Sequence, residues 1–225
     1  MNVSSTIRAG AVCAVAGAFI LIGMMSVVIG GDVREPVSIL GQPGTPDQYA
    51  AVIRPATAAI LQTMALDNIF LIAYTGAFIG AAALVWDKAR VFGMAGLGFA
   101  ILLALLDVTE NAVTVDIVRA VQGGVPIPGW EIPALGVLEQ VKYATGTLAI
   151  VFFAVGVWVA LPKRLYAKIV AGLFLIFPVT NAVKIVGGSP LLLVVWMLVM
   201  LVASAGLLWR EGRGASGGGY DAGTL

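Results

Sequence analysis

Long apolar runs separated by short polar stretches dominate this chain. Six runs, at about 9–30, 56–86, 91–120, 137–161, 166–186 and 190–209, are long enough to span a bilayer. A hydrocarbon core of about 30 Å needs about 20 mostly apolar helical residues. The pattern therefore predicts an all-α fold, a polytopic integral membrane protein with a six-helix transmembrane bundle. Residues 1–210 form one such domain and 211–225 a flexible tail rich in Gly and Ser. The first run follows Met1–Arg8, which resembles the start of a signal peptide. Its length, and the lack of a small-x-small cleavage site before Gly30-Gly31, favour an uncleaved helix over a processed leader.

The polar punctuation sets an orientation. Arg8, then Lys88 and Arg90, then Lys163, Arg164 and Lys168, then Arg210 and Arg213 mark every second boundary, while Arg34, Arg54 and Arg119 lie by the intervening loops. Basic residues concentrate on the cytoplasmic side of membrane proteins, so both termini are expected inside. Trp86, Trp158 and Trp209 fall near the inner boundaries and Trp130 near an outer one, where amphipathic rings settle. The Pro- and Gly-rich segments 31–55 and 122–136 read as irregular outer caps. These features describe a multi-pass protein of a bacterial cell (inner or plasma) membrane.

Composition narrows the chemistry. The chain is 60% hydrophobic and 11% charged, with a net charge of +1, against about 25% charged in soluble domains. No basic face is left over for nucleic acid, so the bilayer is the first partner. Cys13 is the only cysteine and histidine is absent, which removes internal disulfides, thiolate metal cages and imidazole chemistry. No metal is assigned and the cofactor is left unknown. Any chemistry falls to carboxylates, Lys, Tyr, Asn, Ser or Thr.

Those residues interrupt the apolar runs in a pattern. The second run carries Asp67, Asn68 and Tyr74; the third Asp107, Glu110, Asn111 and Thr114; the fourth Glu139, Lys142 and Tyr143; the fifth Asn181 and Lys184. Asp107, Glu110, Asn111 and Thr114 stand at i, i+3, i+4 and i+7 and share one helix face, as do Glu139, Lys142, Tyr143 and Gly146. Counting about 1.5 Å per residue from the basic ends puts all four polar faces in the outer half of the membrane. Each intramembrane charge costs roughly 2.5–3.5 kcal/mol at a helix centre, so such groups pair or face water. Asp67, Asp107, Glu110 and Glu139 oppose only Lys142 and Lys184. The excess calls for protonated carboxylates, a bound cation or a wet vestibule. Taken singly, Asn68, Asn181, Thr114 and either Tyr read as interhelical glue; Glu139 and Asp116 read equally as interfacial residues, and Lys184 as a snorkelling side chain.

Two further patterns stand out. Gly76 and Gly80 form a GxxxG, which lets a neighbouring backbone approach. Tyr74-Thr75-Gly76 and Val108-Thr109-Glu110-Asn111-Ala112-Val113 recur, 69 to 71 residues later, as Tyr143-Ala144-Thr145-Gly146 and Val179-Thr180-Asn181-Ala182-Val183. That spacing reads as two parallel copies of a hairpin.

Asp67-Asn68-Ile69-Phe70 with Tyr74, then Asp107-Val108-Thr109-Glu110-Asn111, then Lys142 resemble a pattern in uncharacterised bacterial and algal multispan proteins. In that group D-x-x-F-x-x-x-Y precedes D-x-x-E-N and a lysine. The resemblance covers roughly residues 60 to 145; it implies a multispan fold and points at these residues, but carries no activity.

Three functions fit these residues. The first is a binding or transport protein whose outward-facing pocket takes a proton, a cation or a small polar or cationic ligand through Asp67, Tyr74, Asp107, Glu110, Asn111, Glu139, Lys142, Tyr143, Asn181 and Lys184. The second is a membrane-embedded enzyme acting on a lipid or isoprenoid, with Asp107 and Glu110 as metal ligands or an acid–base pair. D-x-x-E-N matches no familiar transferase signature and no Ser or Cys nucleophile has an evident base, so enzymatic activity is the less favoured reading. The third is an accessory or assembly subunit docked to other membrane subunits.

Overall fold

A computed structural model describes residues 2–30, 39–185 and 190–217. Helix accounts for 91% of them, and five helices are long and apolar enough to cross a membrane. The first, α1 (Val3–Gly30), starts six residues before the expected boundary. Asn2 is the reason: its side-chain oxygen accepts from the Ser4 N–H at 3.1 Å, satisfying one donor of the first turn.

Segment 31–55, expected to be irregular throughout, instead contains a helix, α2 (Pro46–Ile53), that runs into a 3₁₀ turn, Arg54–Ala56. The local sequence explains the correction. Thr45 and Gln48 form a reciprocal capping box, Pro46 occupies the first turn, and Asp47 adds a negative charge where the helix dipole favours one. Residues 31–38 lie outside the described part.

The second and third apolar runs belong to one long element, α3 (Thr57–Gly123), interrupted at Ala89, whose φ of −142° and ψ of 42° leave helical geometry. Its arms, 57–88 and 90–123, match the two expected segments, and Lys88 and Arg90 stand exposed on either side of the break. The second arm ends in a Schellman motif: Gly124 takes φ +64°, Val125 N–H reaches the Ala120 carbonyl and Gly124 N–H the Val121 carbonyl. Helix α4 (Glu131–Ala160) begins six residues earlier than expected, and a tight turn leads into α5 (Leu165–Ile185). The last helix, α6 (Pro190–Gly217), continues past the expected end at 209 into what the sequence assigned to the tail. Residues 218–225 lie outside the described part.

Two compact units make up the chain. The first comprises Met1–Ala18, Ala73–Ile101 and Gly146–Leu225; the second comprises Phe19–Ile72 and Leu102–Thr145. The second unit is organised around Tyr49, Ile53, Ile60, Ile117, Val118 and Leu135, all essentially inaccessible. Tyr49 carries a hydroxyl into this apolar cluster, and its oxygen lies 2.8 Å from the carbonyls of both Ile39 and Gln42. A buried phenol needs such a partner, and the bond anchors segment 39–42 to α2.

In the first unit, α1 and the 57–88 arm of α3 cross backbone against backbone. A Cβ added at Gly80 would sit 2.7 Å from Gly10 Cα, and one at Gly10 would sit 2.6 Å from Gly80 Cα. The GxxxG is therefore a contact, with Ala14, Ala77 and Ala205 extending the close packing and Ile7, Ala11 and Leu208 flanking it. Stacked rings fill the wider spaces: Phe78 on Phe153 and Phe99 on Phe152, with centroids 5.2 and 5.6 Å apart. Large apolar side chains such as Phe19, Ile72, Val91 and Leu165 are mostly exposed, a surface suited to lipid rather than water.

The glycine crossing makes a prediction. Gly80→Leu should lower thermostability in detergent by an amount equivalent to roughly 1–3 kcal/mol or more, the usual effect of overpacking. Replacing the exposed Ile79 on the same helix by Leu should leave the melting curve in place. An unshifted Gly80→Leu curve would mean that the two backbones do not meet.

Candidate intramembrane charge network

The second unit gathers most of the polar residues singled out from sequence. Helical spacing puts Asp107, Glu110 and Asn111 on one face of the 90–123 arm, Asp67 and Asn68 lie on the 57–88 arm, and Lys142 lies on α4. The Lys142 ammonium is 3.2 Å from Asp107 Oδ1 and in direct contact with Glu110 Oε2. One cation thus bridges two carboxylates a helical turn apart.

A neighbouring arrangement fixes a third carboxylate. The Asn111 side-chain amide donates to Asp67 Oδ2 at 2.8 Å and to Asn68 Oδ1 at 3.2 Å, which uses both of its hydrogens. Asn111 and Asp107 are both buried. Asp67 is within electrostatic reach of Lys142 and Asp107, so the salt bridge and the amide clamp are parts of one network. Thr114, next along the same face, is buried as well.

Other expected site residues occupy the margins. Tyr143 lies beneath the Lys142 ammonium, 5.8 Å from nitrogen to ring centroid, a favourable contact for a cation. Glu139, one turn before Lys142 on α4, lies against Gly41. Gly41 has φ +83°, and a Cβ there would collide with the Glu139 carboxylate. Only glycine meets both demands.

Tyr74 and Asn181 belong to the first unit. There Tyr74 is buried and packs edge-on against Phe78, centroids 6.0 Å apart, while the Asn181 amide donates to Thr147 Oγ1 at 3.1 Å. The two asparagines of the recurring motif, Asn111 and Asn181, are equally buried and each donates to a side chain of an earlier helical segment. The backbone of α5 includes Lys184, whose side chain lies outside the described part.

Sequence reasoning passed over Tyr49 and Glu131. Tyr49 could have been found, because the capping box at Thr45 marks α2 and periodicity then points Tyr49 and Ile53 inward. Glu131 opens α4 almost fully buried, with one carboxylate oxygen lacking a hydrogen-bond partner among the described residues.

Chemically, the network is a set of three carboxylates, Asp67, Asp107 and Glu110, with Lys142 as the one ammonium among the described residues that serves them. If all four are ionised it carries an excess of two negative charges. Comparison with protein-family models, with curated proteins and with solved structures returns no match.

The ion pairs give a second prediction. Removing one partner of a buried pair typically costs about 3–5 kcal/mol, and Lys142 here serves two carboxylates. Lys142→Met should therefore destabilise strongly, and adding Glu110→Gln to that variant should restore part of the lost melting temperature. A double variant no more stable than Lys142→Met would show that the pairing carries little energy.

Proposed function

We propose that this protein is an integral membrane binding or transport protein whose charge network takes a proton, a cation or a small cationic molecule from the outer side of the membrane. The observation that supports this reading is the mismatch between three carboxylates and one lysine, held by three helical segments. A purely structural ion-pair network gains nothing from surplus negative charge in a low dielectric, whereas a site that binds positive charge requires it. Tyr143 and Glu139 beside the network suit a cationic ligand through an aromatic face and a further carboxylate.

We further read six crossings of a bacterial cell membrane, with both termini in the cytoplasm. Each arm of α3 exceeds the about 20 residues that a crossing needs, and the Ala89 break is bracketed by basic residues as a cytoplasmic connection would be. Reporters fused after Arg90, Arg164 and Arg213 should then behave as cytoplasmic and one inserted at Gln42 as external. An external C-terminus would reverse the orientation and put the network on the inner side.

The lipid-modifying enzyme reading lacks a supporting observation of its own. The assembly-subunit reading is the natural competitor, and one experiment separates it from binding. Thermostability of the wild type, Asp107→Asn and Glu110→Gln should be measured across pH, with sodium, potassium and small amines. Binding predicts a wild-type melting temperature that shifts by several degrees with pH or with one of these cations, and folded amide variants that have lost the response. If no condition moves the wild type differently from Glu110→Gln, the network is structural and the proposal fails.

A further inference from the structure

Basic residues in the first unit converge where α1 begins, α5 begins and α6 ends. The Ser4 hydroxyl donates to the Gly212 carbonyl at 2.7 Å in a buried bond that ties α1 to α6. Arg164, just before α5, lies 3.7 Å from Glu211 on α6, and Arg210 stands over the ring of Tyr166 on α5 at 5.8 Å. Arg8, Arg164, Lys168, Arg210 and Arg213 are thereby held together by the packing of three helix ends. Across Val3–Ala18 and Gly146–Gly217, Glu211 is the only acidic residue.

Aromatic rings accompany these cations. Lys168 lies over Trp158 at 5.5 Å and Arg213 over Trp209 at 4.9 Å, and both indoles are nearly half exposed. Helices α5 and α6 also present exposed apolar side chains, Leu165, Ile169 and Val202. A soluble anion would use the cations and leave the indoles and the apolar strip without a role. A ligand with an anionic head and acyl chains would use all three, because tryptophan prefers the headgroup level and apolar residues meet the chains.

We infer that the converging ends of α1, α5 and α6 form a binding surface for anionic phospholipid headgroups. The inference is independent of the charge network and of which side of the membrane this end faces. The guanidinium groups supply the geometry, since their fork of N–H donors matches phosphate oxygens. Ring contacts hold Arg210 and Arg213 near the surface, so less side-chain freedom is lost when a headgroup is bound.

The test uses the purified full chain in mixed micelles with phosphatidylglycerol, with phosphatidylcholine of the same acyl chains, or with inorganic phosphate. Phosphatidylglycerol should raise the melting temperature by several degrees and remain bound in native mass spectrometry; phosphatidylcholine and inorganic phosphate should do neither. Arg164→Gln with Arg210→Gln should weaken phosphatidylglycerol binding roughly tenfold or more. Arg213→Gln, at an exposed position, should reduce it less and serves if the double variant fails to fold. Arg119→Gln, in the other unit, should bind as the wild type does. Equal stabilisation by phosphatidylcholine, a phosphate effect that matches the lipid, or unchanged binding in both the Arg164/Arg210 and Arg213 variants would each overturn the inference.

Discussion

An ammonium group cannot be left alone in hydrocarbon, and much of the second unit follows from where Lys142 finds its partners. Placed on α4, it needs carboxylates from another helical segment, and Asp107 and Glu110 supply them from successive turns of the 90–123 arm. That demand fixes the rotation of both segments, because a slip of one residue would turn the charges about 100° out of register. Asn111 carries the constraint to the 57–88 arm through Asp67 and Asn68. Apolar side chains alone, interchangeable with lipid tails, could not specify these rotations.

Apolar packing takes over elsewhere, in two distinct styles. Around Tyr49 the second unit has a core of large aliphatic side chains, as a water-soluble domain would, and its one buried phenol is satisfied by backbone carbonyls. The first unit relies on small residues instead. Gly10, Ala14, Ala77 and Gly80 bring two backbones into contact, the means by which helices gain dispersion energy where the surrounding solvent is itself apolar.

What the sequence revealed, and what it hid, divides by the range of the interaction. Apolar run length reported the helices because the bilayer imposes one length on every crossing, and the i, i+3, i+4 spacing of Asp107, Glu110 and Asn111 reported a shared face because helical geometry is local. Helix ends were less legible: Asn2 extends α1, and the Thr45–Gln48 box builds α2 in a segment whose Pro and Gly content suggested only loop. Partner choice was hidden almost entirely. Nothing in the sequence says that Asn111 would donate to Asp67, that Gly80 would meet Gly10, or that Glu139 would need a glycine at position 41, since each depends on segments far apart along the chain. The candidate site was thus readable as a list of residues and unreadable as a set of bonds.

The bond between Ser4 and Gly212 joins residues 208 positions apart. At synthesis rates of about 5–20 residues per second, the first helix waits roughly 10–40 s before its final partner exists. Through that interval Ser4 and Ile7 face lipid or the insertion machinery rather than α6. The first unit therefore closes only after α6 has been made, and its assembly is an event separate in time from the insertion of its first helix.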